Sequence, residues 1–305
     1  MRTYTFNISL SILNHLGRNL YRSFITVLGE AISNSWDADA TNVSISIDRE
    51  QNTLIITDDG VGMDSESFQN KFLKIGYSKR KDNVTHTPKG RPFIGRKGIG
   101  KLALLSCAKK ITILTKTIDS DITGGVIENA GLDQAIIDDV SANDYILSIP
   151  EAERIEQYKA KLANSGTVII FEDITDGIKN KIEYIRKQVA YFFRFSILDP
   201  TFNISINNNP ITLDELNDVI QSTQFVWPIN ETNDALLTKI EESDSLKKNK
   251  NLKISGINVT GFIATVEKPS LLKIRGSNEK VTLDLFVNGR LRESNILKHI
   301  HTARI

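Results

Sequence analysis

The segment GEAISNSWDADA, residues 29–40, constrains the fold of this chain more than any other feature. If it is a helix, Glu30, Asn34 and Asp37 lie on one stripe about 10 Å long. Most of the residues between them are apolar or small, and the segment contains no Lys or Arg, whereas solvated helix faces usually mix both charges. The stripe therefore indicates either a site for a hydrated divalent cation with a phosphate chain or the polar edge of a surface helix.

The composition indicates a soluble globular protein with enough residues for two hydrophobic cores. The 305 residues include 38 basic and 37 acidic side chains, and the net charge of +1 gives no general attraction to nucleic acid or anionic membranes. The N-terminus lacks the apolar block of a signal peptide, and no apolar run approaches the ~20 residues that span a bilayer. The single cysteine, Cys107, excludes an internal disulfide. We therefore expect a cytoplasmic protein without a membrane partner.

The hydrophobic pattern changes from helical spacing to alternation directly after the acidic stripe. Residues 21–37 have helical spacing, and the alternation at 43–47 followed by 53–57 predicts two strands joined by a turn near Asn52. Residues 76–100 are basic, rich in Gly and Pro and without strong periodicity, which is typical of a long functional loop. We predict further strands at 111–117, 125–128 and 166–172, helices at 66–75, 98–107, 150–163 and 179–195, and a hairpin at 202–212.

A weak boundary between residues 216 and 234 divides the chain into two predicted domains. We assign residues 1–222 to the first domain and residues 223–305 to a second, smaller one. In the second domain, two segments predict strands, 252–266 and 281–287, and the lysine-rich run at 246–253 indicates a solvated turn rather than a nucleic-acid patch.

Asp58 follows the second predicted strand and is itself followed by Gly60 and Gly62. A carboxylate there can accept a hydrogen bond from an exocyclic amine, and the two glycines allow a flat ring to approach the backbone. The alternative is a surface hairpin, since Asp-Asp-Gly is a common turn signal. Thr167, which opens another strand after Gly166, could join a polar network with a buried Asp, although β-branched residues favour strands in any case.

A second glycine-rich segment, GRKGIGK, occupies residues 95–101. Glycines at a loop-to-helix junction free backbone amides for phosphate oxygens, and the helix N-terminus adds its positive dipole end. The spacing from Gly95 to Lys101 fits the first part of a P-loop, but Leu102 stands where a P-loop needs Ser or Thr for magnesium. Residues 89–93 also lack the pattern of a buried strand, so we exclude a P-loop.

In this order, the motifs resemble those of the GHKL ATPases, the superfamily that includes DNA gyrase, the heat-shock-protein-ninety chaperones, sensor histidine kinases and MutL. Residues 30–38 resemble the first motif of the superfamily, and DADAT at 37–41 is similar to MutL and to MORC-type ATPases. The later matches are the adenine motif at 58–62, the start of the nucleotide lid at 76–79, its closing glycine motif at 95–100, the threonine motif at 166–167 and a transducer-domain strand at 286–290.

The resemblance implies an α/β fold: a two-layer α/β sandwich, the Bergerat ATP-binding fold, followed by part of a smaller α/β transducer domain. Helices would lie on one face of a mixed sheet, with the nucleotide between helices and sheet. An ATPase is favoured over a histidine kinase, because His15 is too close to Glu30 to belong to a separate phosphoacceptor hairpin. The kinases also do not end in a transducer-like domain.

The resemblance also implies roles for individual residues, with ATP and Mg²⁺ as cofactors. Glu30 is expected to be the general base for the attacking water, and Asn34 to hold Mg²⁺. Asp37 is expected to support the metal-water network or the nucleoside side of the nucleotide. Asp58 is expected to share a network with Thr167 and to accept a hydrogen bond from the adenine amine, so that ATP is preferred over GTP. The other expected nucleotide-binding residues are Gly60, Gly62, Met63, Ser78, Lys79, Gly98, Ile99, Gly100 and Lys101.

The basic residues of the expected lid are attributed to phosphate binding and lid electrostatics. They are Lys79, Arg80, Lys81, Lys89, Arg91, Arg96 and Lys97. In MutL-like relatives a transducer loop beyond the segment that resembles 287–290 contacts the γ-phosphate. We therefore expect these 305 residues to be the N-terminal portion of a longer protein and to hydrolyse ATP slowly.

The chaperone and MutL branches suggest how ATP would be used, since in them ATP closes a lid and drives N-terminal dimerisation. We expect Mg-dependent ATP hydrolysis that drives lid closure and nucleotide-dependent homodimerisation of a molecular clamp or chaperone-like machine. The alternatives are a nucleotide-gated scaffold with little hydrolysis and a DNA-associated MutL- or MORC-like ATPase. The sequence does not identify the client, whether protein or DNA.

Overall fold

The computed structural model divides the chain into two compact units, Met1–Lys179 with Thr201–Pro210, and Asn180–Pro200 with Ile211–Ile305. The predicted division at 222/223 differs from these limits, and the two-domain assignment stays a prediction. The structure describes residues 10–11, 24–75, 77, 84–95, 103–104, 107–138, 140–141, 144–175, 178, 181–230, 233–244, 246, 248–249, 252–256, 259–272, 282–287 and 290–299.

A seven-stranded mixed sheet is the centre of the first unit. Its order is β4-β3-β5-β2-β1-β6-β7; β1 and β6 pair in parallel, and all other neighbours are antiparallel. The strands are β1 (Asn42–Asp48), β2 (Thr53–Asp58), β3 (Ala108–Lys116), β4 (Thr123–Glu128), β5 (Gly166–Ile174), β6 (Asn203–Ile206) and β7 (Asn209–Pro210).

Helix α1 (Phe24–Asp37) lies on one face of this sheet. Val27, Leu28 and Ile32 are fully buried, and burial of each aliphatic side chain contributes about 1.5–3 kcal/mol. After the helix, Asp39 has a φ of 56°, the left-handed conformation that commonly turns a chain out of a helix. This turn leads directly into β1.

The other face of the sheet is partly covered by α4 (Ala152–Lys159), which follows a short helix α3 (Asn129–Ile137). Tyr158 in α4 packs with Leu114, Val168 and Ile170 in one hydrophobic cluster. Ser35 of α1 contacts Asp58, which is opposite Thr167 of β5. The next residue, Val168, lies on the other side of the strand, so α4 covers the side away from α1. The predicted α/β sandwich with a mixed sheet is confirmed, and α4 adds a local second cover.

The predicted helix at 66–75 is two joined segments in the structure. Helix α2 (Ser65–Ser67) begins at Asp64, whose Oδ1 accepts a hydrogen bond from Ser67 N at 2.7 Å, and a π-helical turn follows at Phe68–Phe72. Of the helix predicted at 98–107, residues 103, 104 and 107 are described, and 103–104 form a 3₁₀ turn. The rest of that prediction lies outside the described residues.

The second unit contains a three-stranded sheet of order β10-β8-β9 and a separate hairpin, β11-β12. The segment 216–234, where we expected a boundary, contains a helix and a strand, and Val226 of that strand is fully buried. The run at 246–253, predicted to be a solvated turn, instead contributes β9, which pairs in parallel with β8. The elements are α5 (Ile182–Phe192), α6 (Asn217–Ser222), β8 (Thr223–Ile229), α7 (Ala235–Glu241), β9 (Lys248–Asn249), β10 (Gly261–Val266), β11 (Leu285–Val287) and β12 (Arg290–Glu293).

Within the described part of the chain, every helix is too short or too polar to cross a lipid bilayer.

Candidate functional site

The acidic stripe predicted from the spacing lies on one face of α1. Glu30 and Asn34 are half-buried, and Asp37 is only 7% exposed. The Asp37 carboxylate accepts hydrogen bonds from two backbone amides, Ile94 N at 2.8 Å and Gly95 N at 3.0 Å. Asp37 therefore attaches the start of the glycine-rich segment to α1, and its contact with nucleotide or metal stays a prediction.

Asp58 lies at the end of β2 with only 8% of its surface exposed. Its Oδ2 accepts a hydrogen bond from Ser35 Oγ on α1, and its Oδ1 accepts one from Gly60 N, both at 3.0 Å. Donors on both oxygens hold the carboxylate in one orientation. Sequence reasoning missed Ser35, because a serine in an apolar stretch of helix carries no distinguishing signal.

Gly60 and Gly62 allow the turn after β2 to approach other parts of the backbone. A Cβ at position 60 would lie 2.7 Å from Ala38 O. Gly62 has a φ of +65°, and a Cβ there would lie 1.8 Å from Lys116 O. Both glycines are thus required by contacts within the protein itself. The predicted approach of a flat ring is a separate proposal.

Two threonines meet beside Asp58 at the same end of the sheet. Thr167 is opposite Asp58 in the β2–β5 ladder, and its Oγ1 lies 3.2 Å from Oγ1 of Thr115. Thr115, which is fully buried, donates to Gly166 O at 2.9 Å and accepts from Met63 N at 3.0 Å. The structure therefore brings Asp58, Met63 and Thr167 together. Thr115 was missed; a polar residue in the apolar strand pattern was its only signal.

The neighbouring Asp59 has a structural contact of its own. Its Oδ1 accepts from Thr41 N at 2.6 Å and from Asn42 N at 2.8 Å, and its Oδ2 accepts from the Asn42 side chain at 2.7 Å. Asp59 thus ties the start of β1 to the end of β2.

Residues 84–95, in the middle of the predicted lid, form a compact turn that docks on the end of α1. Lys89 Nζ donates to Asp39 O at 2.8 Å. Arg91 is buried, and its Nη1 donates to Ala40 O at 2.6 Å. Attributing Arg91 to phosphate binding was wrong, because its buried guanidinium binds backbone oxygens of the protein. The attribution of Lys89, which is exposed, stays a prediction.

The remaining predicted phosphate contacts lie outside the described residues. They are Ser78, Lys79, Gly98, Ile99, Gly100 and Lys101. The other basic lid residues (Arg80, Lys81, Arg96 and Lys97) lie there as well. So do Asn288 and Gly289 of the transducer-like segment.

The described residues offer three chemical groups on the α1 side of the sheet. Glu30 supplies a carboxylate that can take a proton, and Asn34, one turn later, supplies a neutral oxygen ligand. Asp58 supplies a buried acceptor with fixed orientation. A proton acceptor, a hard-cation ligand and a reader of an amino group suit the binding and hydrolysis of an adenine nucleotide.

Comparison with known proteins gives several matches. The family model described as Histidine kinase-, DNA gyrase B-, and HSP90-like ATPase matches residues 21–167. A candidate type II restriction enzyme, HgiDII of Herpetosiphon aurantiacus, is 33% identical over 303 residues, which are 98% of this chain and 47% of that protein.

Two further relatives match with lower coverage. The DNA mismatch repair protein MutL of Ehrlichia chaffeensis is 23% identical over 280 residues, 89% of this chain and 36% of that protein. The chaperone protein HtpG of Oceanobacillus iheyensis is 29% identical over 160 residues, 49% of this chain and 25% of that protein. The chain spans less than half the length of each of these relatives.

Proposed function

This chain is a member of the GHKL superfamily of ATPases, and from that premise we propose that it binds ATP with Mg²⁺ and hydrolyses the terminal phosphate. The observation that supports the proposal most is the hydrogen bond between Ser35 and Asp58. It joins the helix that carries Glu30 and Asn34 to the strand end that carries the candidate adenine reader. The three groups thus belong to one face of one sheet.

Asp58 is proposed to accept a hydrogen bond from the exocyclic amine of adenine. Both of its oxygens already accept hydrogen bonds from protein donors, but a carboxylate has about four lone-pair sites and can accept further bonds. A guanine would present a carbonyl oxygen to the same carboxylate, and two acceptors repel. The site should therefore prefer ATP to GTP.

Asn34 and Glu30 are proposed to serve the phosphate end of the nucleotide. The Asn34 carboxamide oxygen fits Mg²⁺, which binds few protein ligands and keeps several waters. When bound, the ion neutralises charge on the phosphates. Glu30 precedes Asn34 by one helical turn, and its carboxylate takes the proton of the attacking water.

Lid closure and nucleotide-dependent homodimerisation belong to the same proposal. The match to HtpG, a protein named as a chaperone, supports a clamp of the chaperone type. The names of HgiDII and MutL support a second candidate function, in which ATP hydrolysis is coupled to work on DNA. The match to HgiDII spans 98% of this chain, so the function linked to DNA is supported about as well as the chaperone-type clamp.

Calorimetry with ATP and GTP, each with and without Mg²⁺, tests the proposal. We expect ATP to bind more tightly with Mg²⁺ than without it, and GTP to bind at least about tenfold more weakly, a difference of ~1.4 kcal/mol. Crosslinking with and without a non-hydrolysable ATP analogue tests dimerisation separately. A protein that binds neither nucleotide would refute the assigned function.

A further inference from the structure

The segment 84–95 is attached to the end of α1 at several points, and we propose that Arg91 and Asp39 are positioning residues for the phosphate-binding part of the ATP site. They hold this segment so that the glycine-rich run that begins at Gly95 starts from a fixed place on α1. The inference rests on the proposed function, because it concerns the same ATP site.

Arg91 is buried in an unusual way for a cation, with 4% of its surface exposed. Its Nη1 donates to Ala40 O at 2.6 Å, and its Nη2 donates to Thr201 O at 2.7 Å and to Thr201 Oγ1 at 2.8 Å. The guanidinium also lies 4.8 Å from the ring centroid of Trp36 and 5.2 Å from that of Phe202. It therefore links the turn after α1 to the chain just before β6.

The partners of Arg91 indicate a role in position rather than in stability. Burying a charge costs several kcal/mol unless it is fully hydrogen-bonded, and Arg91 Nε has no hydrogen-bond partner among the described residues. An apolar side chain of similar size would avoid this cost. Only a guanidinium, with donors spread over a rigid fork, can reach both Ala40 and Thr201.

Asp39 holds the other side of the same turn. It is 4% exposed, and its carboxylate accepts hydrogen bonds from Thr87 Oγ1 and from Lys89 N, the latter at 3.1 Å. The turn is closed internally, because Thr87 N donates to Arg91 O at 2.8 Å. Asp39 and Arg91 together therefore fix the whole turn 87–91 against the end of α1.

The chain that leaves this turn is held on α1 step by step. Pro92 O accepts a hydrogen bond from Trp36 Nε1 at 3.1 Å, and the next contacts are those of Ile94 N and Gly95 N with Asp37. Four residues of chain span at most about 14 Å, so a displacement of Arg91 should also displace Gly95. A Cβ at Gly95 would lie 2.8 Å from Asp37 Oδ2, so a side chain there would displace the carboxylate that holds Ile94 N and Gly95 N.

The adenine end of the site has separate support. Asp58 is held by Ser35 and Gly60, and Thr167 by Thr115. None of these contacts involves residues 84–95. Loss of the attachment should therefore weaken binding of the phosphates much more than binding of the nucleoside.

The test compares dissociation constants for ATP and for adenosine, measured by calorimetric competition, in the wild-type chain, in Arg91→Met and in Asp39→Asn. We expect both variants to bind ATP at least about tenfold more weakly, while the value for adenosine changes less than about threefold. Arg154→Met is the matched control. It removes the ion pair of Arg154 Nη2 with Glu172 Oε1, 2.6 Å long, in the same unit. It should lower the melting temperature without changing the ratio of the two affinities.

Equal ATP affinity in Arg91→Met and wild type would overturn the inference. So would an equal loss of ATP and adenosine, which a purely structural role predicts. If Arg91→Met does not fold, Thr201→Val removes one acceptor of Nη2 and leaves the carbonyl, and the same selectivity change is expected at smaller amplitude. A wild-type chain that binds no ATP would refute the proposed function, and the inference would fall with it.

Discussion

Ser35 Oγ and Asp58 Oδ2 are 3.0 Å apart, although the two residues are separated by 23 positions in the chain. The hydrogen bond crosses from α1 to the end of β2. It therefore couples the orientation of the buried carboxylate to the helix that carries Glu30 and Asn34. This coupling allows the adenine end and the hydrolytic end of the proposed site to be tested separately.

Replacing Asp58 by Asn should weaken ATP binding. An amide can accept from Ser35 or Gly60, but it presents an N–H where adenine offers its own donor. Loss of a hydrogen bond to a charged group costs about 1.5–3 kcal/mol, so we expect the dissociation constant to rise roughly ten- to a hundredfold in calorimetry. Asp59→Asn is the neighbouring control, because Asp59 binds backbone amides of the β1 start. If Asp58→Asn and Asp59→Asn have the same dissociation constant for ATP, Asp58 does not bind the adenine amine.

Replacing Glu30 by Ala should abolish hydrolysis and preserve binding. Removal of a general base lowers kcat by about 10²- to 10⁴-fold, which phosphate release under saturating ATP measures. The ATP dissociation constant should change less than about threefold. Glu66→Ala removes an exposed carboxylate of α2 and serves as the control. Turnover equal to that of the parent chain would remove Glu30 from its assigned role.

Gly62→Ala and Gly90→Ala should differ in stability although both glycines have positive φ. Gly62 has a φ of +65° and no room for a Cβ, whereas Gly90 has a φ of +82° and open space around the Cβ position. Gly90→Ala should cost about 1–2 kcal/mol from the backbone conformation alone. Gly62→Ala adds a clash with Lys116 O and should cost clearly more. Denaturant unfolding of both variants provides the measurement; equal losses would contradict the packing described for the turn after β2.

Cys107 should resist alkylation in the folded protein. Burial raises the pKa of its thiol from 9.0 to about 12, and the reactive form is the thiolate. Pulse labelling with iodoacetamide at about pH 8.5 should therefore be slow for the native chain and fast in denaturant. Rapid native labelling would contradict the buried position.

The same shift makes stability depend on pH. The unfolded chain loses the thiol proton near pH 9, while the folded chain keeps it until about pH 12. This contribution to stability is thus fully present below pH 9 and is lost as the pH rises towards 12. Cys107→Ser should reduce the fall in the free energy of unfolding over that interval.

Local patterns in the sequence predicted a large part of the first unit. The alternation at 43–47 and 53–57 appears as β1 and β2, and Asn52 in the turn between them has a φ of 53°. The strand predicted at 166–172 is β5. The expected superfamily is confirmed by the family match at residues 21–167. These features depend on neighbouring residues, so one sequence is enough to read them.

Contacts between residues far apart in the chain could not be predicted from local sequence patterns. Neither the strand order nor the parallel pairing of β1 with β6 leaves a local signal. Arg91 was assigned to phosphate because an arginine in a glycine-rich loop looks the same whether its acceptor is a phosphate or a carbonyl oxygen. Helix α3 was missed because only Leu132 in it is buried, so its apolar face is weak.

The position of β6 affects how the first unit can be made. When residue 179 has been synthesised, β1 to β5 are present but Thr201–Pro210 are not. This later segment contains β6, which pairs with the outer edge of β1. Until then the outer edge of β1 has unpaired backbone groups, which favour aggregation. Recombinant fragments that stop near residue 179 should therefore be poorly soluble, and fragments that extend past Pro210 should not share this defect.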